Sequence, residues 1–472
     1  MKLRALGRLD GAPWRGVAAL TARELGELWE SFRFRAVLAV IVLVMTISAA
    51  LNAAHHHAEA GARPEILERY AEEIADATVG SLADVPHPAI KPPWRLAFLA
   101  EGQQRQTPNV YRQALSAWEV PVFESRHRGD ERRHETEPLD WTFVMRTVLS
   151  LAAFLLGYDA VCGPRQRRLL ELTLAQAVER WQVLAAKLIA IWSCLAVPFV
   201  CGASLSLATL ALFGLRLTGG ELVKVTLVGA LGLGAAVLFV AVALVVSARI
   251  REANRSLTAL ALVWVAAVVV IPAASGLVTP LIRPLPGEAG DGGVLAPEET
   301  SDWRPPEWAA QDDYALERES ARVHNRQFEA AESERRRRVE AQLGQAALTR
   351  WLASASPMHL VQESAERLAG SGQARDRRFV AEAWAFREVL AAHVRGLDRG
   401  DPESPHVEFF SRYLSSRPAE AEAVPRFTFD EISWAAGLRL AAVPLAVLVV
   451  LTLVATAAAF LSFERFDVRG AP

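Results

Sequence analysis

Cysteine is nearly missing from these 472 residues. Cys162, Cys194 and Cys201 are the full set, and none lies in either long hydrophilic stretch, 55–140 or 281–434. A disulfide framework in those stretches is thereby excluded. Cys194 and Cys201 sit inside an apolar run and read as small packing residues. An excess of one charge is missing too. Lys and Arg number 51 against 53 Asp and Glu, and a net charge of −2 gives no basic footprint for nucleic acid. Catalytic signatures are also lacking. There is no G-x-x-x-x-G-K-[ST] cradle for ATP and no G-x-S-x-G elbow. His134-Glu135 runs into Thr136, Glu137 and Pro138 instead of completing an H-E-x-x-H zinc site. His55, His56 and His57 cannot converge on one metal from a helix, where neighbours point about 100° apart. No enzyme active site, metal site or bound cofactor is expected on this chain.

Charge is nearly absent from six apolar runs, at 36–54, 141–158, 188–214, 222–247, 256–280 and 435–463. Each is about long enough to cross a ~30 Å hydrocarbon core. A soluble helix needs a polar face, and a run such as LIAIWSCLAVPFVCG has none. The fold class is therefore an all-α membrane protein with six transmembrane helices. A mainly helical extracytoplasmic domain is expected from the insertions 55–140 and 281–434, where strand signals are sparse.

Orientation follows from Lys and Arg near the membrane. Lys2, Arg4, Arg8, Arg15, Arg23, Arg33 and Arg35 precede the first span. Arg165, Arg167, Arg168, Arg180 and Lys187 lie between spans two and three. Arg249, Arg251 and Arg255 lie between spans four and five, and Arg465 and Arg469 in the tail. Residues 1–35, 159–187 and 464–472 are thus expected in the cytoplasm, with both termini inside and both long insertions exported. About 35 residues precede the first run without a cleavage site, so that span is expected to be a permanent anchor.

Leu20, Leu25, Leu28, Trp29 and Phe32 recur at helical spacing with charges between them, an amphipathic helix at the cytoplasmic surface. Insertion one opens with a helical extension through ERYAEEIADATV. It then reads as loop, because Pro86, Pro88, Pro92 and Pro93 forbid a helix. In insertion two, a Gly- and Pro-rich linker at 283–306 precedes a proline-free helix over 307–355, with a bend expected near Gly344 and a stop at Ser356-Pro357. Another helix is expected over about 374–396. The Arg335–Arg338 run reads as a solvated face balanced by Glu329, Glu332, Glu334 and Glu340. Pro198, Pro272 and Pro444 mark kinks, static or mobile, within spans three, five and six. Gly229, Gly232, Gly234, Ala235 and Ala236 permit close helix approach, within the chain or between two copies.

The order of pre-helix, anchor span, large exported loop, and a span running into a basic cytoplasmic segment resembles the ABC-2-type permeases of ATP-binding cassette transporters. Much of the resemblance is carried by Tyr158-Asp159-Ala160-Val161-Cys162-Gly163 through Arg180 and Lys187. The family commonly shows Gly-Glu-x-Glu-x-Gly-Thr-Leu there, then Pro-x-x-Arg and a Lys. This chain keeps Gly163, Leu170, Arg180 and Lys187, and departs at Pro164, Gln166 and Arg168-Leu169. Lys91-Pro92-Pro93 before FLAEG, Leu139-Asp140-Trp141-Thr142-Phe143, Ser356-Pro357-Met358, Leu368-Ala369-Gly370 and Val424-Pro425-Arg426-Phe427 resemble a subgroup with a large exported domain of unknown function.

The resemblance implies a permease subunit in a bacterial inner membrane. A separate ATP-binding subunit would hold ATP and Mg, and a second permease chain, identical or paralogous, would complete the pathway. Glu24, Leu28, Trp29 and Phe32, with Gly163, Leu170, Arg180 and Lys187, are the expected contacts with the ATPase. Arg146, Lys224 and Arg439 lie near the outer ends of spans two, four and six. They would snorkel to lipid or line a basic vestibule for an anionic or amphipathic substrate. The alternative function is a membrane-anchored scaffold or sensor whose exported helices bind an envelope partner.

Overall fold

The computed structural model describes residues 12–102, 109–116, 122–124, 138–175, 178–285, 314–407 and 413–465. Lys2, Arg4, Arg8, His134-Glu135, most of the 283–306 linker and Arg469 lie outside the described residues. Helix α1 (Ala12–Trp29) is amphipathic and packs along the bundle. Glu30-Ser31 breaks the chain, and the Ser31 hydroxyl caps the next helix by accepting the Phe34 N–H at 3.2 Å. That helix, α2 (Phe32–Ala75), runs for 44 residues and contains Pro64.

Next come α3 (Trp141–Gln166), α4 (Arg180–Leu212), α5 (Gly219–Arg249) and α6 (Ala253–Ile282). The second insertion contributes α7 (Tyr314–Ala353), α8 (Pro357–Ala369) and α9 (Gly372–Arg399) before α10 (Trp434–Glu464). Among the described residues, six helices are long and apolar enough to cross a membrane: α2, α3, α4, α5, α6 and α10. The chain is thus mostly helical, as its composition and apolar runs required.

The described residues form two hydrophobic cores. In the bundle, α2 packs on α4, α5 on α10, α4 and α3, and α1 lies along α4. A Cβ at Gly232 would fall 2.7 Å from the Phe199 ring and 2.8 Å from the Met145 sulfur, so this glycine lets three helices of one chain meet. Gly229 and Gly234 have nothing within 4 Å at that position. The second core lies beyond the bundle. Tyr70 and Ile74 on the far end of α2 bury against Phe379, Ala383, Phe386, Leu390 and Val394 of α9 and against Val424. One small domain is therefore assembled from both insertions.

That domain contains a sheet that the sequence reading lacked. β1 (His87–Ile90), β2 (Val110–Gln113) and β3 (Val122–Glu124) pair antiparallel in the order β1-β2-β3, with Ala89 opposite Tyr111 and Tyr111 opposite Phe123. Strands of three or four residues are too short to display an alternation. Pro88 is tolerated because β1 is an edge strand. The PHPAIKPPWR segment, expected as loop, is extended and paired at its start.

Ion pairs tie the two insertions to each other beside the bundle. Lys91 Nζ meets Asp376 at 2.8 Å. Arg375 is 1% exposed, bonds Glu431 through two nitrogens and lies over Trp94. Lys224 of α5 reaches the same joint, donating to the Ile432 carbonyl at 2.6 Å beneath Trp94.

Part of the second insertion does not stay clear of the apolar helices. Gln345 donates to the Arg283 carbonyl at 2.9 Å, Thr349 bonds Thr279 at 2.9 Å, and Ser356 donates to the Ala267 carbonyl at 2.6 Å. As the chain advances from 345 to 356, its partner recedes from 283 to 267, about 24 Å along α6. The α7–α8 turn therefore reaches the midpoint of α6, and α8 returns between α3, α5, α6 and α10. The Ser-Pro pair that stops one helix starts the next. Ser356 caps α8 at its N-terminus, and Gly370, at φ 78°, closes a Schellman cap with Gly370 N–H to Arg367 and Ser371 N–H to Glu366. At Gly344, where a bend was expected, a Cβ would fall 2.7 Å from the Arg283 guanidinium; the glycine permits that approach.

The receiving carbonyl of Ala267 is free for a reason. Residues Ala266–Val270 form a π turn in which the Ile271 N–H bonds Ala266. The next residue, Pro272, has no N–H to offer Ala267. Ser356 supplies the missing donor.

Candidate functional site

At the α1 end, eight expected contact residues divide by burial. Glu24 and Lys187 pair with each other at 2.6 Å, and Lys187 is buried, so both serve to pin α1 onto α4. Trp14 adds an edge-on contact with Trp181 at 6.0 Å. Leu28 packs half-buried against the bundle core, and Leu170 is buried. Arg180 donates to the Glu464 carbonyl at 2.9 Å, tying α4 to the end of α10. Gly163 sits 3.3 Å, at its Cβ position, from the Asp159 side chain. Only Trp29 and Phe32 present large apolar surface, at 46% and 79% exposed.

Two further groups at this end escaped the sequence reading. Arg33 bonds Asp159 at 3.0 Å and covers the Tyr158 ring, locking α2 to the end of α3. Leu169 and Leu172, on the short helix Leu169–Leu174, are 44% and 66% exposed. Their i, i+3 spacing was the available signal.

At the other end the dominant feature is a chain of charged side chains inside the bundle. On α8, His359, Gln362, Glu363 and Glu366 fall at i, i+3, i+4 and i+7 and so share one face. Arg146, in the π turn Val144–Leu149 of α3, donates to Gln362 at 3.0 Å. Gln362 donates to Glu366 at 2.9 Å. Arg350 bridges Glu366 at 2.6 Å and Glu363 at 3.2 Å. Arg367 bonds Glu363 at 2.7 Å and donates to the Leu440 carbonyl of α10 at 2.8 Å. The connection is continuous from α3 to α10. A charge in such a place is costly unless paired, and every carboxylate here is paired.

The three expected vestibule cations do not converge. Arg146 contacts the middle of α8, and Lys224 lies beside Gly370 at its C-terminal end. Eight residues of helix separate those points, about 12 Å. Arg439 is exposed and, among the described residues, bonds the Ala435 carbonyl of its own helix. The carboxylates of α8, not a cluster of cations, organise this end.

Asp140 ties the first insertion to the start of α3. Its carboxylate accepts the Phe143 N–H at 2.7 Å as a cap, the Glu101 N–H at 2.8 Å, and the Thr142 hydroxyl. Burial outweighs these bonds and pushes its carboxyl from 3.8 up to about 7. Between about pH 4 and 7 the fold therefore holds a proton that the unfolded chain releases. Stability from this group is full below pH 4 and lost as pH rises through 7. Asp140→Asn keeps a good cap. It should flatten this slope, worth a few kcal/mol, as read from thermal unfolding at pH 5 and pH 8. An unchanged slope would place the titrating group elsewhere.

Among the described residues no group of three or more His, Cys, Asp or Glu side chains is placed to hold a metal. A bundle of long apolar helices with a charged interior seam defines an integral membrane protein. The chain belongs to the ABC-2 family transporter proteins, whose pattern it matches over residues 26–468. No curated protein matches it. Permeases of this family have no catalytic activity of their own and generally pair with an ATP-binding subunit.

Proposed function

We propose that this chain is the permease subunit of an exporter or other envelope-acting ABC transporter of the subgroup with a large exported domain, driven by ATP hydrolysis on a separate subunit. The observation that carries this reading is the exposed apolar set Trp29, Phe32, Leu169 and Leu172 at the α1 end, on a chain with no ATP cradle of its own. In this reading α1 and residues 159–187 face the cytoplasm and meet the ATPase. Both termini are cytoplasmic, and a second permease chain packs alongside. The α8 seam then borders the pathway at the outer end. α6 and α10 support the pairing, because only 11% and 17% of their most apolar windows are covered within one chain.

The test is purification of the tagged chain in mild detergent with mass spectrometry of what stays bound. An ATP-binding cassette subunit in near-equal amount, with ATP hydrolysis in the eluate, is the expected result. A sensor kinase in its place would support the scaffold reading and end this one.

A further inference from the structure

A cavity of 260 Å³ opens between α7 and α9 in the domain, away from the bundle. Leu115 and Phe328 give it apolar walls, and its charged lining comes from both helices. Most of those charges are matched. Glu332 is held by Arg335 and Arg336 at 3.2 Å each, and Arg336 also meets Glu388 at 3.5 Å. The whole Arg335–Arg338 run is balanced in this way, since Arg337 and Arg338 pair with Glu334.

Arg387 is different. It lines the cavity, is only 9% exposed, and has its guanidinium 4.9 Å from the centre of the Phe328 ring. Among the described residues it has no hydrogen bond and no ion pair, and its buried Nε lacks an acceptor. Burial pulls its pKa below the usual arginine range, and Glu332, Tyr111 and Glu388 only partly offset this. A guanidinium stays charged under these conditions and carries five N–H donors in a planar fork. A buried cation with unfilled donors costs stability, so its burial needs an occupant to offset it.

We infer that the cavity between α7 and α9 is a binding site for a small organic carboxylate, with Arg387 taking the carboxylate and Phe328 and Leu115 the apolar body. A single fork matches the two oxygens of a carboxylate. The other lining charges, Glu329, Glu332 and Glu388 against Arg336 and Arg395, largely offset one another, which leaves one free fork to meet a single carboxylate and no second cation for a phosphate dianion. The volume lies just below the roughly 300–1,000 Å³ of drug-sized ligand pockets, which suits a small ligand. The site does not depend on the transport reading, because it is built wholly within the domain.

The full chain in nanodiscs can be titrated with phenylacetate by saturation-transfer NMR, with phenylacetamide as neutral isostere and benzylphosphonate as dianion. Phenylacetate should bind, with both controls weaker by about tenfold or more. Arg387→Met should lose the same factor while unfolding at an equal or higher temperature, because it removes an unpaired buried charge. Arg387→Lys, which keeps the charge without the fork, should fall between. Binding that ignores the carboxylate, binding unchanged in Arg387→Met, or a lower unfolding temperature for that variant would each overturn the assignment. The last would mean that the fold itself uses the cation.

Discussion

Trp29→Glu together with Phe32→Glu is expected to strip the ATP-binding subunit from the purified chain. Phe32 stands largely free, and Trp29 is about half covered, tilted over the buried Phe34 at 4.5 Å. Fully burying a large side chain is worth about 1.5–3 kcal/mol. Losing two such anchors should lower ATPase retention by roughly a hundredfold or more. The unfolding temperature of the isolated permease should move little, because Phe32 is mostly exposed and Trp29 about half exposed in its own bundle. Leu28→Glu is the contrasting variant. Leu28 packs against the core beneath α1. Its loss should destabilise the permease itself, so retention and stability would fall together. Full ATPase retention by the Trp29/Phe32 double variant would show that the partner docks elsewhere.

The second large effect is expected at Arg350. Arg350→Met leaves Glu363 and Glu366, 8% and 1% exposed, without their shared cation. Breaking a buried pair from one side costs about 3–5 kcal/mol. The α7–α8 turn should loosen, and amide exchange over 345–370 should rise steeply. Adding Glu366→Gln removes the orphaned charge and should recover much of that loss, since Gln362 can still donate to a neutral partner. Exchange as slow in Arg350→Met as in the parent would mean that the turn is held by its apolar contacts alone.

Much of this architecture was legible because a bilayer allows few solutions. Runs such as that in α5 have no polar face, and only a spanning helix accommodates them. The pre-helix was legible from the spacing of Leu20, Leu25 and Leu28. The short strands were not, because HPAI and VYRQ are too brief to show a period. Nor was the depth of α8. No helix was expected over PMHLVQESAERLA, and sequence cannot reveal that Glu363 and Glu366 meet Arg350 of the preceding helix. The expected contact set failed to separate for a similar reason. Glu24 and Lys187 are 163 residues apart, and their pairing is a fact of tertiary structure.

The length of α2 has a mechanical consequence. Its 44 residues form a rod about 66 Å long, with Ser31 at one end and the domain core at the other. A rod of that length is a lever arm. A tilt of about 5° at the Arg33–Asp159 pivot sweeps the far end through about 6 Å, more than a full turn of helix rise. Pro64, which breaks the hydrogen-bond ladder within the arm, is where such a sweep would be absorbed as flexure instead of being delivered to the domain. The stiffness of one helix thus sets how much displacement at the base arrives at the tip.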